Sequence, residues 1–68
     1  MNNLKELRTK AGLTQAQVAD RAGLTVVSVC RYEKEQRYPD VLTALRIADV
    51  LKVKDLRKIW SGNSLSQV

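Results

Sequence analysis

Helix start and stop signals around residues 14–22 constrain the fold of this sequence more than any other feature. Thr14 and Gln17 are spaced as in a capping box, in which each side chain bonds the backbone amide of the other residue. Gly23 follows the segment and tolerates the positive φ at which helices often end. The sequence therefore predicts a short helix that is bounded at both ends.

The next segment, residues 25–33, has two interpretations. Val26 and Val27 belong to a run with strand propensity. However, adjacent valines break the alternation expected of a half-buried strand, and the chain offers no second strand with which to pair. We therefore predict a short helix that begins after Thr25 as its cap and that tertiary packing stabilises against its own propensity.

Three further segments show helical spacing or helix caps. Residues 3–11 begin with Asn3 as the expected cap and have Glu6 three residues later, residues 40–51 begin with an aspartate after a proline, and residues 54–60 follow. Five short helices predict an all-α protein, a compact five-helix bundle. In the fourth helix, the predicted core stripe consists of Val41, Ala44, Leu45, Ala48 and Leu51.

The length of 68 residues allows one domain. We assign residues 1–60 to the helical domain and residues 61–68 to a polar C-terminal tail. No apolar run approaches the length of a membrane span, and the first residues lack the apolar stretch of a signal peptide. We therefore expect a cytoplasmic protein without a membrane partner.

Composition excludes several kinds of chemistry. The chain has no histidine and one cysteine, which excludes an internal disulfide framework, the usual zinc sites and the commonest acid–base residue. Without a nucleophile–base pair, we expect no enzyme, no cofactor, no metal and no small-molecule ligand. The 12 Lys and Arg residues exceed the 7 Asp and Glu residues, and the net charge of +5 favours an anionic partner.

A second spacing links the two central helices. Gln15, Ala19, Gly23 and Val29 are separated by 4, 4 and 6 residues. The alanine lets the next helix approach closely, the glycine permits a tight reversal, and the valine anchors the second helix in the core. This pattern predicts a helix-turn-helix.

With this pattern in place, the sequence resembles the Cro/phage-repressor-type helix-turn-helix family, also called the XRE family, over residues 4–51. The resemblance rests on LKELRTKAGLTQAQVADRAGLTVVSVCRYE, on the R-Y-P-D that follows, and on the segment ALRIADVL. It implies a lambda-repressor-like DNA-binding domain in which helix 25–33 enters the major groove of double-stranded DNA.

Helical geometry gives an independent view of the face that would read DNA. With Val29 facing the core, Val27 and Arg31 lie at about 160° and about 200°, on the exposed side, and Val26 lies at about 60°. By resemblance, these three are the base-reading positions. Valine suits the thymine methyl group, and arginine suits guanine O6 and N7. The alternative is that both valines are neutral surface residues.

We also expect contacts to the DNA backbone and one structural pair. The resemblance implies a backbone contact for Gln15, and the other backbone candidates follow from their positions, because the N–H groups at a helix start favour an anion. The backbone candidates lie at the start of the second helix and around the reading helix, and they are Thr14, Gln15, Ser28, Lys34, Gln36, Arg37 and Tyr38. For the loop residues, a solvated loop is the alternative. Arg8 and Glu33 fall at the core margin of their helices, and the resemblance implies that they pair, because a partly buried carboxylate needs a partner.

Two positions depart from the family pattern. Glu35 stands where many members have glycine after the reading helix. The residue there either takes a left-handed conformation, at a cost of roughly 1 kcal/mol, or the loop follows another path. The spacing after Val53 is one residue longer than the commonest family ending, so we expect a rotated or shifted fifth helix.

Apolar residues near the C-terminal end predict a dimer. Leu42 and Ile47 lie away from the expected core stripe and would form a patch with the predicted dimer-interface residues, which are Val50, Val53, Leu56, Ile59 and Trp60. By resemblance, a two-fold homodimer would read a palindromic site. The alternative is that Ile59 and Trp60 close the core of the monomer.

Together these observations predict a sequence-specific DNA-binding transcriptional regulator, a repressor, of a prokaryote, phage or mobile element, associated with the nucleoid. The alternatives are an antitoxin-type or other protein-interaction module with secondary DNA binding, and a controller protein of a restriction–modification system. Cys30 is interpreted as a small residue without a redox role rather than as a switch beside the DNA face.

Overall fold

The computed structural model describes residues 2–60, and within them the chain forms four α-helices and one short 3-10 helix. The α-helices are α1 (Leu4–Lys10), α2 (Gln15–Ala22), α3 (Val26–Glu33) and α4 (Val41–Val50), and the 3-10 helix is Leu56–Lys58. The all-α prediction is confirmed, whereas the prediction of five helices is wrong. The predicted tail, residues 61–68, lies outside the described residues.

The segment predicted as a fifth helix is a single tight turn. The Asp55 carboxylate accepts a hydrogen bond from the backbone N–H of Arg57, and the Lys58 N–H bonds the Asp55 carbonyl. The backbone bonds from Lys58 to Asp55 and from Ile59 to Leu56 each span three residues, as in a 3-10 helix. The Ile59 carbonyl then accepts from the Asn3 N–H at 2.8 Å, so it bonds the start of the chain instead of extending a helix.

Local signals define most helix starts. Thr14 and Gln17 form the predicted capping box, and Thr25 and Asp40 cap α3 and α4 through the predicted side-chain bonds. The prediction for α1 is wrong, because the Asn3 side chain makes no cap bond. The Asn2 carboxamide oxygen accepts from the Leu4 N–H instead. Asn3 uses its amide to reach the Lys58 carbonyl, which again ties the two ends of the domain together.

The buried face of α4 is rotated relative to the predicted stripe. The structure buries Ala44, Ile47, Ala48 and Leu51, which follow the spacing i, i+3, i+4 and i+7. Val41 and Leu45 were predicted in the core, but they are 53% and 49% exposed. Ile47, predicted on the outer patch, is fully buried. The reason is that α4 packs on α2, and the small side chains of Ala44 and Ala48 on its buried face allow a close approach.

The core formed by these helices fixes the orientation of α2 and α3. Val18, Ala19 and Ala22 of α2 and Val29 and Tyr32 of α3 are buried in the cluster. Gly23 makes the reversal between the two helices at φ 70°, as predicted. No helix among residues 2–60 has the length and apolar character needed to cross a membrane.

All four α-helices end in the same hydrogen-bond arrangement, the Schellman motif, in which the residue after the last turn is left-handed. After α1 and α2, this residue is Gly12 or Gly23. After α3 and α4, it is Glu35 or Lys52, each at φ 58°. At Glu35, the left-handed alternative is therefore the one adopted, and the Gln36 N–H bonds the Arg31 carbonyl at 2.9 Å.

Candidate nucleic-acid interface

The outer face of α3 carries the three predicted base-reading residues. Val26 and Val27 are 45% and 58% exposed, and Arg31 is exposed beside them. Val29, on the opposite face, is fully buried and anchors the helix. The solvent-facing side of α3 is therefore an apolar start followed by a cation, held on a rigid support. An α-helix of this kind fits the width of the major groove of B-DNA.

The cap of α3 also orients one predicted backbone contact. The Thr25 hydroxyl oxygen accepts from the Ser28 N–H at 3.1 Å, and the Thr25 hydroxyl donates to the Ser28 hydroxyl oxygen at 3.0 Å. A hydroxyl has one proton to donate, so this arrangement leaves the Ser28 O–H to donate outward. The sequence predicts Thr25 only as the cap of α3, and this role is the signal by which it could have been included in the site.

The remaining predicted backbone residues lie on two sides of α3. Thr14 is exposed at the start of α2, where its hydroxyl oxygen accepts from the Gln17 N–H in the capping box and its O–H remains able to donate. On the other side, the loop after α3 exposes four side chains, which are Lys34, Gln36, Arg37 and Tyr38. The left-handed Glu35 and the bonds that close the end of α3 fix where this loop leaves the helix. The candidates thus flank the reading helix.

A buried ionic network joins the first three helices. Arg8 Nε donates to Glu33 Oε2 at 2.6 Å, and the two side chains are 10% and 4% exposed. The structure therefore brings together the two residues that the resemblance paired. Arg8 Nη1 also donates to the Leu13 carbonyl at 2.8 Å, just before α2 begins.

Gln15 is part of the same network, which the sequence did not reveal. Its side-chain Nε2 donates to Glu33 Oε1 at 3.0 Å. Gln15 is the first residue of α2 and Glu33 is the last of α3, so their contact depends on the packing of two helices. No sequence spacing specifies that distance.

The predicted dimer-interface residues are more buried than the sequence indicated. Ile59 and Trp60 are 1% and 2% exposed and belong to the core, as the alternative interpretation held. Val50, Val53 and Leu56 are half-buried against that core. The apolar side chains that are exposed on α4 are instead Val41, Leu42 and Leu45.

An open groove begins beside this exposed face of α4. It has a volume of about 640 Å³. Its walls combine three apolar side chains with four charged ones, and the lining residues are Leu45, Arg46, Ala48, Asp49, Lys52, Val53 and Lys54. Within residues 2–60, no group of three or more His, Cys, Asp or Glu side chains is placed to hold a metal ion. Cys30 is a half-buried free thiol.

Comparison with known proteins agrees with this geometry. Residues 4–59 match the family model described as helix-turn-helix. The chain is 39% identical over 66 residues to the uncharacterized HTH-type transcriptional regulator YqaE of Bacillus subtilis (strain 168), a match that covers 97% of the chain and 56% of YqaE. It is 36% identical over 50 residues to the HTH-type transcriptional regulator ImmR of the same organism, covering 74% of the chain and 39% of ImmR.

A further relative is similar in size. The uncharacterized HTH-type transcriptional regulator YgzD of Bacillus subtilis (strain 168) is 32% identical over 59 residues, which cover 87% of the chain and 89% of YgzD. The chain spans about half the length of YqaE and less of ImmR. The family match covers most of the chain and includes both helices of the motif. The chain therefore belongs to the XRE-type helix-turn-helix family.

Proposed function

We propose that this protein is a sequence-specific regulator of transcription that places α3 in the major groove of double-stranded DNA. The observation that carries the proposal is the outer face of α3, where Val26, Val27 and Arg31 are exposed while Val29 fixes the helix from behind. Two exposed valines at a helix start contribute nothing to the core. A contact with DNA gives them a role.

The chemistry of the three side chains defines what they would read. The valine methyl groups pack against thymine methyl groups, which project into the major groove. The Arg31 guanidinium donates two parallel hydrogen bonds to guanine O6 and N7, the commonest specific contact between arginine and a base pair. The half-site therefore contains A·T pairs facing the start of α3 and a G·C pair one helical turn further along it.

Backbone contacts on both sides of α3 would set its register. Phosphate contacts fix the orientation of a protein on DNA without reading sequence. The proposed set consists of Thr14, Gln15, Ser28, Lys34, Gln36, Arg37 and Tyr38, all of which have side chains at least partly exposed. The net charge of +5 supports the same partner, because it attracts the polyanion over a distance of about 10 Å.

We further propose that the protein acts as a homodimer on a palindromic operator, with half-sites about one helical turn apart. The support is the exposed face of α4, since a two-fold interface is self-complementary and Val41, Leu42 and Leu45 supply the apolar patch. The groove beside Leu45 offers room for side chains of a second copy. Val50, Val53 and Leu56 border this surface in our proposal, and Ile59 and Trp60 support it from the core.

Repression is the simplest regulatory outcome of this architecture. A dimer that covers an operator excludes other proteins from the same DNA, and this requires only the surfaces already described. Activation would require an additional contact with the transcription machinery.

The first test is selection from a pool of random DNA duplexes at fixed salt, because the electrostatic part of binding depends on salt. Enrichment of a palindrome with recurring half-sites supports the proposal. Failure of the folded protein to enrich any sequence refutes sequence-specific reading and redirects the search to a protein partner, as for an antitoxin-type module.

Substitution of Arg31 by alanine then tests the reading helix. We expect a loss of about 1–3 kcal/mol on the selected site and relaxed preference at one base position. The matched control is Arg57→Ala, which removes the same charge from a side chain that is 88% exposed and lies outside α2 and α3. Equal losses on selected and random DNA would show that Arg31 contacts only phosphate.

A further inference from the structure

We propose that Glu33 is a positioning residue for DNA binding, because it holds the Gln15 side chain in the orientation that meets a phosphate. The inference rests on the proposed function, in which Gln15 contacts the DNA backbone. It is carried by one contact, the hydrogen bond from Gln15 Nε2 to Glu33 Oε1 at 3.0 Å. The role goes beyond that of a structural ion pair with Arg8.

The chemistry of the two groups fixes the orientation of the Gln15 amide. An ionised carboxylate only accepts hydrogen bonds, so the amide nitrogen of Gln15 faces Glu33 and the amide oxygen faces away. The nitrogen carries two N–H donors, of which one is bonded to Glu33. Because the amide group is planar, the second N–H points in a different, fixed direction. Gln15 is partly exposed at the start of α2. In our proposal, the second N–H is the donor that meets a phosphate.

Arg8 makes the arrangement compatible with a polyanion. A carboxylate alone near DNA would repel phosphate groups. The Arg8 guanidinium neutralises it, with Nε at 2.6 Å from one carboxylate oxygen and Nη2 at 3.4 Å from the other. The same guanidinium holds the Leu13 carbonyl at 2.8 Å. The cluster thus bonds both the Gln15 side chain and the backbone two residues before it.

The cluster also links the phosphate donor to the reading helix. Glu33 is the last residue of α3, whereas Gln15 belongs to α2. A rigid connection between them keeps the backbone contact in register with the side chains that face the bases. A side chain that is already ordered loses less conformational freedom on binding, and this effect corresponds to about a 2- to 10-fold gain in affinity.

A double-mutant cycle tests the proposal with Gln15→Ala, Glu33→Asp and the combination of both. Glu33→Asp keeps the charge, so long-range attraction to DNA is unchanged, but the shorter side chain cannot reach both Arg8 and Gln15. Affinity is measured at fixed salt on the selected operator, at a temperature where circular dichroism shows each variant fully folded. The control is Ile47→Val, a buried change in α4 that lowers stability without touching Glu33.

We expect Glu33→Asp to weaken binding by about 2- to 10-fold when Gln15 is present and to have almost no effect in the Gln15→Ala background. Ile47→Val leaves the affinity of the folded protein unchanged in both backgrounds. Additive losses from the two substitutions would overturn the proposal and leave Glu33 with a purely structural role.

A measurement on the unsubstituted protein covers the case in which Glu33→Asp does not fold. Nuclear magnetic resonance relaxation of the Gln15 side-chain amide in the free protein should show an ordered group, unlike the amide of the exposed Gln36. A mobile Gln15 amide overturns the proposal. If the parent protein selects no DNA sequence, the proposed function itself fails, whatever the order of this side chain.

Discussion

Replacing Arg8 by alanine removes the only cation that the structure places on the buried Glu33 carboxylate within residues 2–60. Losing one partner of a buried ion pair costs about 3–5 kcal/mol, because the other charge stays buried without compensation. Proteins have free energies of unfolding of about 0.05–0.15 kcal/mol per residue, or roughly 3–10 kcal/mol for a chain of 68 residues. The substitution therefore removes about 30% or more of the stability.

Urea unfolding followed by far-ultraviolet circular dichroism measures this loss. We expect the midpoint to fall sharply and the melting temperature to drop by at least about 12 °C, since 1 kcal/mol corresponds to about 4–8 °C in a domain of this size. The control, Lys5→Ala, removes one positive charge from an exposed position of the same helix. Its midpoint should stay close to that of the parent.

A second variant isolates the physical cause. Arg8→Met combined with Glu33→Leu removes both charges and retains apolar volume, so most of the lost stability should return. Equal midpoints for Arg8→Ala and the parent would refute the reasoning. If the double variant is as unstable as Arg8→Ala, the cost does not come from an uncompensated carboxylate.

Three more predictions follow from other parts of the domain. Leu45→Lys places a charge on the exposed face of α4 and should convert the proposed dimer into monomers in sedimentation experiments, with unchanged helix content. A dimer that persists would place the interface elsewhere. The backbone N–H of Thr43 holds the pKa of Asp40 below its ordinary value of 3.8, so this bond stabilises the fold above that pH and is lost as the pH falls through the lowered pKa. Asp40→Asn keeps a cap without a titrating carboxyl group, so the free energy of unfolding should fall less steeply as the pH is lowered. An unchanged dependence on pH would contradict this prediction. Lys52→Gly should raise stability by about 0.5–1 kcal/mol in thermal unfolding. A residue with a Cβ loses roughly 1 kcal/mol or more at the left-handed φ of 58°, and the backbone entropy of glycine offsets part of the gain. A fall in stability would show that this backbone is not strained.

The parts of the fold that sequence predicts well are those decided by near neighbours in the chain. The box of Thr14 and Gln17, the left-handed Gly23 and the cap at Thr25 each involve residues within three or four positions, so their spacing is visible in the sequence. The sequence also predicts that α3 is a helix despite its valines, because it offers no second strand with which this segment could pair.

The parts that sequence predicts poorly depend on contacts between distant segments. The buried face of α4 is determined by its packing on α2. A helical projection that places Val41 at the centre of the buried face therefore predicts the wrong face. The turn at Leu56–Lys58 ends where Ile59 bonds the backbone of Asn3, far away in sequence. The bond between Gln15 and Glu33 is of the same kind, since it requires the distance between two helix ends.

The joined ends of the domain have a consequence for how its folding can be observed. Asn2 and Trp60 form an antiparallel bridge, which closes a loop containing almost the whole described chain. Closing a loop of this length costs about 3–4 kcal/mol in chain entropy, so we expect this corner to form after the helices have assembled. The only tryptophan of the sequence is buried in that corner. Its fluorescence therefore reports the rate at which this loop closes, while circular dichroism follows the earlier formation of the helices.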